Sequence, residues 1–287
     1  MPLRAFHRWE AILSGLRPAE SSGKPGDRGR SSRQLDPGCD KLLRMIYRED
    51  RNEVAVLRME HGKVSALDLE MLLEFRSRLD ELQREPRRAV ILTGTGSSFS
   101  AGVDLYRLLE GGREYLDRFL PALDAALRQL YEFPRPVVAA VNGHAIAGGC
   151  IIACACDFRL MSAGRIGVTE LLVGVPFPAL PLEIIRASVA PQHFQSILYT
   201  GRTYTPPEAL HVGLVDEVVQ DEALLDRACD VARRLAAISP RAFEITKSQI
   251  RRYGRDLDAA ILETWTCPET RAAIEAYLEK TIRRKTP

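Results

Sequence analysis

Val137-Val138-Ala139-Ala140-Val141-Asn142-Gly143-His144-Ala145-Ile146-Ala147-Gly148-Gly149-Cys150 is the stretch on which the reading of this chain turns. A β-branched run gives way to Asn-Gly, and two further glycines open an apolar helix. Amides at a helix start have no partner within the helix. With no side chain in the way at Gly148, they offer N–H donors to a developing negative charge. A lone glutamate follows in Ile166-Gly167-Val168-Thr169-Glu170. A carboxylate beside a held negative charge can move protons, so the pairing points to chemistry through a stabilised enolate.

Outward from this stretch, strand and helix patterns alternate. Residues 44–48 and 54–59 predict a hairpin around Glu49-Asp50-Arg51-Asn52, and residues 67–82 repeat apolar positions at helical spacing behind a capping Asp68. A buried strand is expected over 88–93, ending at Gly94. A helix is expected over 115–131, and the Pro134-Arg135-Pro136 break introduces the strand 137–141. Residues 158–161 read as another strand. From Thr205 the pattern is helical apart from 214–219, which gives an α/β core with a helical C-terminal part.

Length and composition bound the alternatives. With 287 residues, 46% hydrophobic, the chain can bury one large domain or a domain with an appendage. A net charge of +2 gives no support to nucleic acid as a partner. The 34 arginines against 6 lysines are scattered beside acids rather than gathered into a stripe. Cys39, Cys150, Cys154, Cys156, Cys229 and Cys267 lack zinc-site spacing and read as reduced thiols in a reducing compartment. No run approaches the roughly 18 apolar residues of a membrane span. There is no dinucleotide fingerprint, P-loop or evident metal site.

The first 41 residues differ in kind. An Arg-containing helical pattern leads into the polar tract Ser21-Ser22-Gly23-Lys24-Pro25-Gly26-Asp27-Arg28-Gly29-Arg30-Ser31-Ser32-Arg33, read as a flexible extension. An organelle transit peptide, a functionless extension and an early translation start all fit it. The remaining divisions are a core over 42–204 and a helical part over 205–287.

Five segments, taken in order, resemble the crotonase (enoyl-CoA hydratase/isomerase) family. They are Lys63-Val64-Ser65-Ala66-Leu67; Val90 through Leu105 with its Phe99-Ser100-Ala101-Gly102-Val103-Asp104; Pro136 through Asp157; Ile166 through Glu170 with Gly174-Val175-Pro176; and Leu210-His211-Val212-Gly213-Leu214-Val215-Asp216. The resemblance covers about residues 42–287 and implies a spiral of repeated ββα units. It also implies an acyl-CoA thioester substrate whose carbonyl is held by the backbone N–H groups of Val103 and Gly148, with Glu170 as the acid–base group. Coenzyme A enters only as part of the substrate, with no other cofactor. Its contacts map to the backbone at Ser65, Ala66, Leu67 and Ala101, and its phosphates to Lys280, Arg283 and Arg284.

One departure from the family pattern narrows the chemistry. The family's hydratases carry a second glutamate directly after Gly-Gly-Cys, where it activates water; here Cys150 is followed by Ile151. Moving a double bond needs one group that takes a proton from C2 and returns it to C4. The chain therefore looks most like the single-glutamate Δ3,Δ2-enoyl-CoA isomerases. No second carboxylate of the dienoyl-CoA isomerase kind follows Glu170. Asp104 reads as a helix cap, Asp157 as paired with backbone or Arg159, and His144 as a packed turn residue. A hydratase, another crotonase-type lyase or hydrolase, and a non-enzymatic acyl-CoA- or RNA-binding relative remain alternatives. The resemblance further implies a homotrimer or hexamer, with helices expected over 178–189 and 192–199 as contact surfaces. Location is read as cytoplasmic, or as the mitochondrial matrix if the extension is a transit peptide. The acyl-chain preference is expected to depend on residues 108–120 and 177–182.

Overall fold

The computed structural model describes residues 44–251 and 266–282; the N-terminal extension over 1–41 lies outside them. Two sheets organise the fold. The larger has six strands, β1 (Ile46–Arg51), β2 (Val54–Met59), β3 (Ala89–Thr93), β5 (Val137–Val141), β7 (Phe158–Met161) and β9 (Glu217–Val218), in that spatial order. β1 and β2 are antiparallel and every later pairing is parallel. The smaller sheet aligns β4 (Ser98–Ser100), β6 (His144–Ile146) and β8 (Ile166–Gly167), all parallel. Consecutive strands thus alternate between sheets: β3 then β4, β5 then β6, β7 then β8. That alternation is the repeated unit expected from the resemblance.

The hairpin differs from its expected form. Residues 49–51 stay in β1, and the chain turns at Asn52-Glu53, where Asn52 takes φ 58. Arg51 pairs directly with Val54, which leaves two residues to reverse the chain; asparagine tolerates the left-handed conformation such turns need. Strand β9 is likewise shorter than the stretch expected over 214–219.

Helix α1 (Leu69–Arg84) begins as expected, with the Asp68 side chain accepting the Met71 N–H. Helix α2 (Leu105–Tyr131) starts ten residues before the periodicity indicated. The Asp104 carboxylate caps it through the Tyr106 and Arg107 amides, and Gly112 breaks it with φ 55. Helices α3 (Gly148–Ala155), α4 (Ala179–Ser188), α5 (Pro191–Thr200) and α6 (Pro206–Val212) follow, then α7 (Leu224–Ala236), α8 (Pro240–Ile250) and α9 (Pro268–Ile282).

Why the central strands read as continuous apolar runs is plain from their cover. Val56, Ile91, Val138 and Ala140 face one way, against Ala228, Val231 and Ala232 of α7. Leu57, Leu92, Ala139 and Val141 face the other way, into the main core with Leu72, Phe119 and Cys150. A parallel sheet buried on both faces cannot alternate polar with apolar.

Asp157, at the start of β7, accepts the Val137 N–H at 2.8 Å, as expected. Its charged partners are Lys247 and Arg251, each at 2.8 Å, rather than Arg159. Arg159 pairs instead with Asp216 at 2.8 Å. Cys150, Cys154, Cys156 and Cys229 are buried free thiols. Among the described residues no helix is long and apolar enough to cross a membrane.

Candidate active site

The small sheet brings the sequence-predicted residues together. Its three strands run parallel, so their C-terminal ends lie side by side, and each end carries one group of interest. After β4 come Ala101, Gly102 and Val103; after β6 come Ala147 and Gly148; after β8 come Val168, Thr169 and Glu170. Clefts outside the carboxyl ends of parallel strands are where α/β proteins bind ligands. Val103, Gly148 and Glu170 all line one such cleft.

Local backbone geometry aims the two amides. Gly102 precedes Val103 at φ 82, a conformation that favours glycine. Ala147 precedes Gly148 at φ 49 and ψ −120, an unusual conformation for a residue with a Cβ. The Ala147 N–H is tied to the Gly167 carbonyl at 2.8 Å, which fixes that turn to β8. Neither the Val103 nor the Gly148 N–H donates to another group among the described residues. Gly149 explains why two small residues are needed here: a Cβ on it would sit 2.2 Å from the Ser100 carbonyl oxygen. The helix start can approach β4 so closely only without a side chain.

Glu170 opens a single 3₁₀ turn (Glu170–Val173), and its Oε2 is buried without a hydrogen-bond partner. Burial pushes the carboxyl up to about 7, against a weaker pull from the Glu170 and Thr169 amides. The desolvating groups are not all its sequence neighbours. Leu171 and Leu172 are exposed, while Ile151, Val173, Val175 and Phe177 line the cleft with it. Ile151, 2% exposed, contributes an alkyl group to the cleft wall. Asp104 is the other acid on the wall, and its Oδ1 is committed to capping α2.

The cleft spans roughly 1030 Å³ including the solvent-open space at its mouth, and its walls are mostly apolar. Of the segments expected to govern acyl preference, Phe177, Pro178 and Pro181 line it, and residues 108–120 do not. Leu105, Tyr106, Leu123 and Leu127 of α2 take that place, with Tyr277 and Leu278 of α9. Sequence reasoning missed these six, because Leu123 and Leu127 share the spacing of the core-facing leucines beside them. Of the residues the resemblance assigns to coenzyme A, Ala66 and Ala101 line the cleft; Ser65 and Leu67 do not. Leu67 has both backbone groups engaged, its N–H with Gly102 O at 2.8 Å and its carbonyl with the Asp104 N–H at 3.0 Å. The Lys280 side chain, Arg283 and Arg284 lie outside the described residues. His144 is half-buried in β6 and does not line the cleft. Among the described residues no cluster of His, Cys, Asp or Glu is arranged to hold a metal ion.

Comparison with known proteins shows the family. A family model described as enoyl-CoA hydratase/isomerase matches residues 49–281. The mitochondrial enoyl-CoA delta isomerase 1 of Rattus norvegicus is 30% identical over 254 residues, covering 84% of this chain and 88% of its own. The short-chain-enoyl-CoA hydratase of Clostridium acetobutylicum is 30% identical over 250 residues, covering 83% and 96%. The crystal structure of human mitochondrial delta3-delta2-enoyl-CoA isomerase superposes with a TM-score of 0.78 at 26% identity, covering 85% of this chain and all of that one.

Proposed function

Since the chain belongs to the enoyl-CoA hydratase/isomerase family, and so is an acyl-CoA enzyme of crotonase type, we propose that its reaction is Δ3,Δ2-enoyl-CoA isomerisation. In this reading a 3-enoyl-CoA enters with its thioester oxygen between the Val103 and Gly148 amides. Glu170 removes a proton from C2. The C2–H electrons form the C2=C3 bond of the product, and the C3=C4 pair takes a proton at C4 from the same carboxyl. The thioester carbonyl, enolate-like during the transfer, is restored.

Each step asks for something this chain has. An α-proton is too weakly acidic for a carboxylate in water, and one aimed amide supplies about 3–4 kcal/mol of transition-state stabilisation. A base held at about 7 accepts and returns the proton with little mismatch near neutral pH. Apolar walls suit a hydrocarbon tail and keep water from the dienolate.

The observation that carries the choice of isomerase is Ile151, an alkyl side chain on the cleft wall opposite the needs of hydration. Water addition requires a second group to hold and deprotonate the nucleophile; double-bond migration does not. Assay of purified protein with a 3-enoyl-CoA and with crotonyl-CoA decides the matter. Double-bond migration should dominate. Strong hydration of crotonyl-CoA without migration would reject the proposal in favour of a hydratase.

A further inference from the structure

We propose that His61 is a positioning residue for the Val103 amide, holding it through Asp68 and the Leu67 peptide. The inference rests on the reading of Val103 as a carbonyl-holding donor and concerns how that donor is kept in place.

The chain of contacts is continuous. His61 Nε2 lies 2.7 Å from Asp68 Oδ2, while Asp68 Oδ1 accepts the Met71 N–H at 2.8 Å. Asp68 is thereby held between a ring outside α1 and the first turn of α1. Leu67, the residue just before it, forms an isolated parallel bridge with Val103. Its N–H and carbonyl bind Gly102 O and Asp104 N, the peptide groups on either side of Val103. The direction of the free Val103 N–H is therefore set by where the Leu67 peptide sits. Leu67 also reaches the second donor, since a Cβ on Gly148 would lie 2.9 Å from Leu67 Cδ1.

The segment from 61 to 68 is not a relaxed turn that would hold itself. Ser65 adopts φ 48 without being glycine. It is pinned by its Oγ donating to Met59 O at 3.2 Å, by Ser100 Oγ donating to its carbonyl at 2.7 Å, and by the His61 N–H reaching its Oγ at 3.5 Å. His61 thus touches the segment twice, at Ser65 through its backbone and at Asp68 through its ring.

Charge makes the latch depend on protonation. The Asp68 hydrogen bond raises the His61 pKa above its ordinary value, burial opposes it, and the charges of Asp68, Asp104 and Glu70 add to the rise. Arg107 faces Asp68 from α2 and competes for it, but is itself paired with Glu70 at 2.7 Å. The imidazolium form grips Asp68 as a charge-assisted pair. That grip is complete below the ordinary histidine value of 6.5 and is lost as pH rises through the elevated one. Glu170 needs the opposite, since it acts as a base only once ionised.

The test follows the Val103 amide by ¹H–¹⁵N spectroscopy on selectively valine-labelled, full-length protein across pH, in wild type, His61→Gln and His61→Phe. The wild-type Val103 resonance should carry a titration that coincides with the His61 ring. His61→Gln keeps a donor without the charge and should lose that component while keeping any component from Glu170. With a 3-enoyl-CoA, His61→Phe should lower kcat roughly three- to tenfold, a fraction of what a whole donor supplies, with KM little changed. A Val103 resonance indifferent to the His61 titration would overturn the proposal, as would a His61→Phe variant altered only in KM or thermal stability. The spectroscopic readout needs no turnover. A coincident titration in a protein inactive on 3-enoyl-CoA would sink the isomerase reading and leave the latch standing; turnover without it would do the reverse.

Discussion

Replacing Glu170 with glutamine should make the protein slower and, above neutral pH, more stable. The carboxyl is held at about 7 against an ordinary value of 4.5. At about 1.36 kcal/mol per unit, ionising it in the folded chain costs about 3 kcal/mol. Between those two values the folded chain binds the proton more tightly than the unfolded chain does. The stabilising contribution is therefore complete below 4.5 and lost as pH rises through about 7. Glutamine has nothing to ionise. The stability gap in favour of Glu170→Gln should be under about 1 kcal/mol near pH 5 and about 3 kcal/mol near pH 8. In thermal melts of a chain this size that corresponds to roughly 5–10 °C at the higher pH. Turnover of a 3-enoyl-CoA should fall by about 10²–10⁴ in the same variant. Melts of both proteins at several pH values provide the check. A gap that stays flat with pH would refute the claim that this carboxyl is desolvated, whatever the kinetics show.

Three further outcomes are expected. Ile151→Glu places a second carboxylate on the cleft wall, and hydration of crotonyl-CoA should appear at about ten times the wild-type background or more; a folded variant with none would remove Ile151 as the reason for a missing hydratase step. Gly149→Ala should destabilise by about 1–3 kcal/mol or more, since its Cβ would meet the Ser100 carbonyl at 2.2 Å. Gly148→Ala should cost less, because its nearest obstacle is a movable Leu67 methyl at 2.9 Å; equal melting points for the two would contradict this ranking. Asp157→Ala strands Lys247, which is 6% exposed and pushed down to about 8 by burial, together with Arg251. Denaturant titration should show a loss of about 3–5 kcal/mol, and a loss below about 1 kcal/mol would mean the cluster relaxes into solvent.

The three groups proposed for chemistry were legible because each sits at a place where the backbone itself demands a residue type. Gly148 and Gly149 mark a helix start pressed against β4, and Gly102 a positive φ before Val103. Glu170 stood out as a lone acid in an apolar stretch. What stayed hidden depends on distance in space rather than along the chain. The leucines of α2 that wall the cleft share one helical stripe with leucines buried behind them, so periodicity cannot separate the two roles. The start of α2 escaped notice because Gly111 and Gly112 interrupt the pattern, although capping by Asp104 was foreseen. The charged partners of Asp157 stay hidden for a similar reason, although its bond to backbone is as expected. Its cations, Lys247 of α8 and Arg251 just past it, come some ninety residues later, while the nearby Arg159 turns to Asp216.

Ala147 carries a consequence for what happens when a ligand arrives. Its uncommon dihedrals, φ 49 and ψ −120, are held by the tether of its N–H to Gly167. That posture belongs to the fold itself, so under the proposed reading a thioester would meet an amide already turned toward it. Swapping in glycine there would slacken that readiness, trading a tensioned spring for a hinge.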